Sequence, residues 1–158
     1  YIVGTEFEQG GITKNGSKMI NAVSNSMVPH ISVILASSYG AGNYGMSGRA
    51  FGPRFTYIWP FAKIAVMGPK QMAGVMSIVG RAAAERRGIE FDEQADAERA
   101  AVAEHWAEER SKGLYATSRV SDDGMIDPRD TREVIAMSLS AAYNNRVAGT
   151  KEYGTWRM

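Results

Sequence analysis

The segment Ser37-Ser38-Tyr39-Gly40-Ala41-Gly42-Asn43-Tyr44-Gly45-Met46-Ser47-Gly48 places four glycines directly after the apolar run Ile31-Ser32-Val33-Ile34-Leu35-Ala36. A buried strand that ends in small residues and reads into a short helical stretch leaves backbone N–H groups unpaired and approachable, since glycine has no side chain to hold a ligand away. Such a loop suits a carbonyl oxygen or an anion. It offers no nucleophile, because Gly40-Ala41-Gly42 contains no serine or cysteine and so is not a serine elbow. Elsewhere the reactive side chains are few. His30 precedes the strand and His105 lies in a charged helical stretch, and neither has metal-ligand spacing or a nucleophile motif beside it. Glu6 and Glu8 are two apart and would share one side of a strand, as paired carboxylates must; solvated acids are the competing reading.

The elements that must position this loop follow from hydrophobic spacing. Met19, Ile20, Val23 and Met27 recur at helical intervals between Asn15 and Met27, and Pro29 stops that helix before a strand over Ile31 to Ala36. Tyr57 to Trp59 and Lys63 to Met67 read as two further short strands, separated by Pro60. Gly68-Pro69 starts a helix with Met72, Val75, Met76 and Val79 on its core face, ended by Gly88. Asp92 is the expected N-cap of a long charged helix to about Lys112, with Gly113 beyond its end. Asp122-Asp123-Gly124 reads as a turn. Asp127-Pro128-Arg129-Asp130 opens a last helix to Tyr143 that is expected to bury Val134, Ile135, Met137, Leu139 and Ala142. Strands alternating with helices make the fold class α/β.

Composition bounds the function. The 158 residues are 44% apolar, enough for one domain with a core. Eighteen basic against seventeen acidic side chains give a net charge of +1, so there is no bulk electrostatic case for nucleic acid or a membrane surface. Without cysteine there are no disulfides, thiolate metal ligands or cysteine nucleophile, which suits a reducing cytoplasm. No apolar run approaches the roughly 20 residues that span a bilayer.

The chain resembles the carboxyltransferase β subunit of biotin-dependent acyl-CoA carboxylases, the methylcrotonyl-CoA and propionyl-CoA carboxylase group. The residues that carry the resemblance run from Val3-Gly4-Thr5-Glu6-Phe7-Glu8 and Gly11 to Met19, through the glycine segment, Gly48 to Phe55, Ile58-Trp59-Pro60 and Ala65 to Gly68, to Asp122 through Arg132 and the closing Trp156-Arg157-Met158. The resemblance implies a crotonase-like ββα spiral, here the second domain of a two-domain carboxyltransferase, entered partway along. Residues 1–158 are then a partial C-terminal acyl-CoA carboxyltransferase domain whose first domain lies outside this chain, inactive as this fragment alone.

The reaction implied is transfer of a carboxyl group from carboxybiotin, carried on a partner subunit or domain, to an acyl-CoA. Negative charge develops on the thioester oxygen and on the ureido oxygen of biotin, and two backbone oxyanion holes stabilise it. By resemblance the biotin hole maps to the N–H groups of Ala41 and Gly42, with Tyr39, Gly40, Asn43 and Tyr44 around the cofactor. On residue chemistry alone Tyr39 and Tyr44 are equally walls of that site or core aromatics, and Asn43 equally a wall or a turn residue. Arg49, Arg54, Lys63 and Lys70 are candidates for coenzyme A phosphates or ordinary surface bases. No metal is implied. The implied partners are a biotin carboxylase with its biotin carboxyl carrier, and further β subunits in a homo-oligomer, a hexamer. The implied location is cytoplasmic, or the mitochondrial matrix in a eukaryote. Ser47 departs from the pattern where cysteine is common, and Pro69-Lys70-Gln71-Met72 replaces a glycine, glutamate, glutamine, alanine run. A crotonase-like enoyl-CoA hydratase or isomerase is the alternative, which requires a carboxylate close to the hole; a scaffold subunit with a vestigial loop is a third reading.

Overall fold

A computed structural model describes residues 4–150 and 152. Val3 and the closing Trp156-Arg157-Met158, which carry part of the resemblance, lie outside the described residues. Two ββα units form the centre of the structure. In the first, β1 (Ile31–Ile34) is followed by β2 (Ser37–Tyr39) and the short helix α3 (Gly40–Gly45); in the second, β3 (Phe55–Ile58) is followed by β4 (Lys63–Ala65) and α4 (Pro69–Arg87). The first strands of the two units pair in parallel, Ile31 opposite Phe55 through Ile34 opposite Ile58. The second strands pair separately, Ser37 opposite Lys63 through Tyr39 opposite Ala65. Each unit thus steps from one sheet to another in passing from its first strand to its second. The first sheet gains a third strand, β5 (Gly124–Met125), parallel to β3.

Before these units come α1 (Thr5–Gln9) and α2 (Ile12–Asn25); after them come α5 (Glu93–Ser111), α6 (Gly113–Ser118) and α7 (Thr131–Tyr143). The strand expected to run from Ile31 to Ala36 ends at Ile34, and most of the expected loop is a second strand, in a second sheet, and a helix. The chain must bend at Leu35-Ala36 to change sheets. The first helix starts and ends earlier than its apolar spacing predicts, at Asn25 rather than Met27, and Glu6 and Glu8 sit on helix α1, where a two-residue spacing puts them on different sides.

The helix caps behave as their sequence signals require. Gly88 ends α4 at φ 65°, a left-handed conformation that glycine takes without cost. The Asp92 carboxylate accepts from the Ala95 N–H at 2.9 Å, and Asp127 accepts from the Arg129 N–H at 2.8 Å ahead of a 3-10 turn that leads into α7. Gly113 lies just beyond the end of α5, as expected, and also opens α6, where its amide donates to the Ala62 carbonyl at 2.8 Å.

The core is small: Ile34, Ile58, Ala62 and Ala116 are buried, with Trp59, Ile64 and Met125 packed on them. Helices α4 and α5 are neighbours whose buried positions are small residues, Ala73 and Ala84 on α4 and Ala107 and Ser111 on α5. Close approach through small residues leaves the large ones outside, so Val75, Met76 and Val79 are exposed and Met72 only half-buried, contrary to the expected core face. The same holds on α7. Its inward stripe is Thr131, Val134, Ile135, Ser138 and Ala142, while Met137 and Leu139 point out. That stripe is fixed by polar contacts: Ser138 donates to the Val134 carbonyl at 2.7 Å, so the Tyr57 hydroxyl donates to Ser138 Oγ, also at 2.7 Å, and Trp59 Nε1 donates to Thr131 Oγ1 at 3.0 Å. No helix among the described residues is long and apolar enough to cross a membrane.

Candidate functional site

Helix α3 begins where the β2–β4 ladder ends. Gly40 has φ 51°, and a Cβ built on it would lie 2.7 Å from the Val66 carbonyl oxygen, closer than real Cβ contacts come. Only glycine fits there. It lets the chain turn out of β2 and run directly into a helix over the end of β4.

The first turn of any helix has N–H groups without carbonyl partners in the same helix, and Tyr39, in the capping position, supplies no side-chain acceptor. The amides of Ala41 and Gly42 belong to that turn. Ala41 is exposed and Gly42 half-buried. Tyr39 is half-buried, with its ring beside Gly68, whereas Tyr44 is 49% exposed and meets Phe51 edge-on at 6.0 Å. The core reading of Tyr44 is thereby excluded.

What holds α3 in place lies behind it. Asn43 Nδ2 donates to Ser38 Oγ on β2 at 3.0 Å. Gly48 packs on the Asn43 backbone so closely that a Cβ would sit 2.7 Å from the Asn43 carbonyl oxygen and collide with its side-chain oxygen. Ser47 is buried at 6% exposure, and it adopts φ 61°, uncommon for a residue with a Cβ. Its Oγ and His30 Nδ1 are hydrogen-bonded at 2.9 Å, and its carbonyl accepts from Ser32 Oγ at 3.1 Å. The helix is thus tied to β2 at its middle and to β1 just past its end. A cavity of about 330 Å³ lies on this side, lined by Ser32, Ser38, Asn43, Ser47 and Thr56 among others.

The scattered bases are mostly engaged. Arg49 donates to Asp123 Oδ2 at 2.7 Å, and that carboxylate oxygen also accepts from the Thr56 N–H at 2.8 Å. The Arg49 hydrogen bond, more than the Thr56 amide, holds the Asp123 carboxyl below the usual aspartate range. Lys63 is paired with Glu108, whose hydrogen bond raises the ammonium pKa, and Arg54 stacks on Phe55 at 4.8 Å. His30 is a structural partner of Ser47, and His105 sits exposed on α5. Among the described residues no three His, Asp or Glu side chains group as metal ligands. Neither cavity that includes α3 residues is lined by a carboxylate.

Ser47, Ser32 and Asp123 escaped the reading of the sequence as parts of this site. Ser47 and His30 are 17 positions apart, and a serine at positive φ carries no local signal.

Residues 1–154 match the carboxyl transferase domain family. The chain is 56% identical over its whole length to the probable biotin-dependent acyl-coenzyme A carboxylase beta2 subunit of Mycobacterium tuberculosis, covering 30% of that protein. It is 46% identical to the probable mitochondrial methylcrotonoyl-CoA carboxylase beta chain of Drosophila melanogaster, of which it covers 27%. The P. aeruginosa geranyl-CoA carboxylase beta subunit superposes with a TM-score of 0.78 at 37% identity, covering all of this chain and 30% of that one. The transcarboxylase 12S structure, described as a hexamer assembly, gives 0.74 at 32% identity over 98% of this chain and 28% of that one. The fold is therefore crotonase-like, that of carboxyltransferase beta subunits, and the chain spans less than a third of the length of these relatives.

Proposed function

The chain belongs to the carboxyl transferase domain family, and on that premise we propose that it forms part of the carboxyltransferase component of a biotin-dependent acyl-CoA carboxylase. Biotin held on a partner subunit or domain would supply the carboxyl group for an acyl-CoA carbon, and its released ureido nitrogen would take up the proton that this carbon gives up. The chain's own contribution is to hold negative charge. Main-chain N–H groups of Ala41 and Gly42 donate to the ureido oxygen, and Tyr39, Gly40, Asn43 and Tyr44 border that oxygen's site. The residues fit such a group: Gly40 lets the chain turn straight from β2 into α3, and the first turn of α3 is uncapped by any side chain. A rigid pair of donors suits this role, since loss of one such donor typically raises a barrier by about 3 to 4 kcal/mol.

The observation that carries this reading is an uncapped helix start braced from behind with no carboxylate in the cavities beside it. A hydratase or isomerase needs a carboxylate there to move the proton, so that alternative is not favoured. This part of the protein is a partial C-terminal domain, and the enolate hole belongs to a first domain packed from a neighbouring subunit. Biotin carboxylase and carrier partners and a hexameric ring of β subunits complete the assembly, in the cytoplasm or in the mitochondrial matrix of a eukaryote; the hexamer assembly of the transcarboxylase 12S relative supports the ring. The acyl-CoA is of the methylcrotonyl- or propionyl-CoA kind, branched or unsaturated acyl chains being favoured.

The test is turnover of free biotin by the intact subunit. Ala41→Gly leaves the amides in place and is expected to be mild, whereas Gly42→Val puts a branched side chain beside the donors and is expected to abolish turnover. Undiminished rates in Gly42→Val would overturn the assignment.

A further inference from the structure

A second cavity, of about 370 Å³, opens on the other side of α3, bordered by Gly40, Asn43 and Tyr44, the end of β4 and the corner between α5 and α6. Its lining contains three guanidinium groups, Arg49, Arg110 and Arg119, and no carboxylate. Arg49 is neutralised by Asp123. Arg110 and Arg119 form no ion pair among the described residues. They rest on aromatic faces instead: Arg110 lies 3.4 Å from the Trp106 centroid and 5.8 Å from that of Tyr115, and Arg119 lies 5.3 Å from that of Tyr115. Stacking occupies the flat face of a guanidinium and leaves its N–H edge free to donate.

Each arginine ends a helix, Arg110 in the last turn of α5 and Arg119 capping α6, where a cation complements the helix dipole. That explains a positive charge at each position. It does not explain why both approach one tyrosine ring at the edge of one cavity, since two unpaired like charges gathered there repel one another unless an anion sits between them.

We propose that this cavity is a subsite for the anionic end of a substrate, its phosphate or carboxylate oxygens received by Arg110 and Arg119, with Tyr115 as the shelf and Tyr44 as the border toward the Ala41–Gly42 amides. The identity of the substrate rests on the carboxyltransferase reading: the oxygens come either from coenzyme A phosphate or from the carboxylate of the carboxylated acyl product. The experiment is equilibrium binding to the intact subunit, wild type against Arg110→Gln, Arg119→Gln, the double variant and Arg119→Lys. The probes are coenzyme A, 3′-dephospho-coenzyme A, and a carboxylated acyl-CoA beside its uncarboxylated parent.

The double variant is expected to weaken an anionic probe at least tenfold, with Arg119→Lys retaining part of the affinity and circular dichroism unchanged. If coenzyme A weakens and the dephospho form does not, the 3′-phosphate is the ligand; if both weaken alike, a phosphate nearer the pantetheine is. If only the carboxylated acyl-CoA weakens, and not its parent, the carboxylate is the ligand. Dissociation constants within twofold of wild type for every probe, or no binding of any probe by the wild type, would overturn the proposal. Because binding is read without turnover, a subunit that binds through these arginines yet moves no carboxyl group would sink the carboxyltransferase reading and leave the subsite standing.

Discussion

Replacing Gly40 by alanine separates two costs that the structure superimposes at one residue. The first is conformational: φ 51° is left-handed, and an L-residue with a Cβ loses about 1–2 kcal/mol there. The second is steric. The new Cβ would lie 2.7 Å from the Val66 carbonyl oxygen, and since real contacts do not fall below 3.0 Å, one of the two backbones must move by at least the difference. Both are backbone groups at the end of the β2–β4 ladder, so neither yields as a flexible side chain does, and overpacking of this kind costs about 1–3 kcal/mol more. Gly52 is the control, with φ 63° and nothing within 4 Å of its virtual Cβ. Gly52→Ala should therefore show the conformational cost alone, and Gly40→Ala that cost plus the clash, about 2–5 kcal/mol in all. Denaturant unfolding of the intact subunit measures both. The activity difference should be larger still. A few tenths of an ångström at Gly40 carries the neighbouring Ala41 and Gly42 amides off a geometry that must place donors within about 3 Å of an oxygen, so biotin turnover should fall about 10- to 100-fold in Gly40→Ala and little in Gly52→Ala. Equal destabilisation by the two substitutions would refute the close approach to Val66, and full activity in a destabilised Gly40→Ala would refute the placement of the donors.

Two further outcomes test how the site is anchored. Ser138→Ala takes from the half-buried Tyr57 hydroxyl its partner on α7 and should cost about 1–2 kcal/mol, and adding Tyr57→Phe should restore part of that loss because both polar groups are then gone; a double variant as unstable as the sum of the two would contradict the hydrogen bond. The Asp123 carboxyl is held below its ordinary value by Arg49, so its contribution is complete well above that value, 3.8, and is lost as the pH falls through the lower folded one; melting temperature followed into acid should drop less steeply in Asp123→Asn, and identical profiles would rule the pair out as a source of acid sensitivity.

The parts of the fold legible in the sequence are those fixed by neighbours in the chain. Asp92, Gly88 and Asp127-Pro128 act within a few residues of themselves, and each cap lies where its residue type requires it. The glycine segment is legible as a place of free amides for the same reason. What fails is part of the inference about which side of a helix is covered, although Val134, Ile135 and Ala142 on α7 do face inward as expected. Helical spacing puts Met72, Val75, Met76 and Val79 on one face of α4 but does not say what that face meets; the contact with α5 runs through small residues, and the larger residues are left outside. On α7 the decisive residue is polar, since a serine reached by a tyrosine from β3 turns the helix about its axis and sends Met137 and Leu139 outward.

The site divides along the same line. Free N–H groups in the first turn of α3 are a local property, readable from Gly40, Ala41 and Gly42. Their rigidity is not local: it comes from His30 and Ser32 reaching Ser47, from Ser38 reaching Asn43, and from Val66 and Asn43 closing on the two glycines that admit them. Donors that must reorganise around a developing charge lose most of their effect, whereas donors already fixed keep it. The residues that brace this helix therefore lie around β1, β2, the end of β4 and the segment after α3, away from the oxygen that we propose the amides hold.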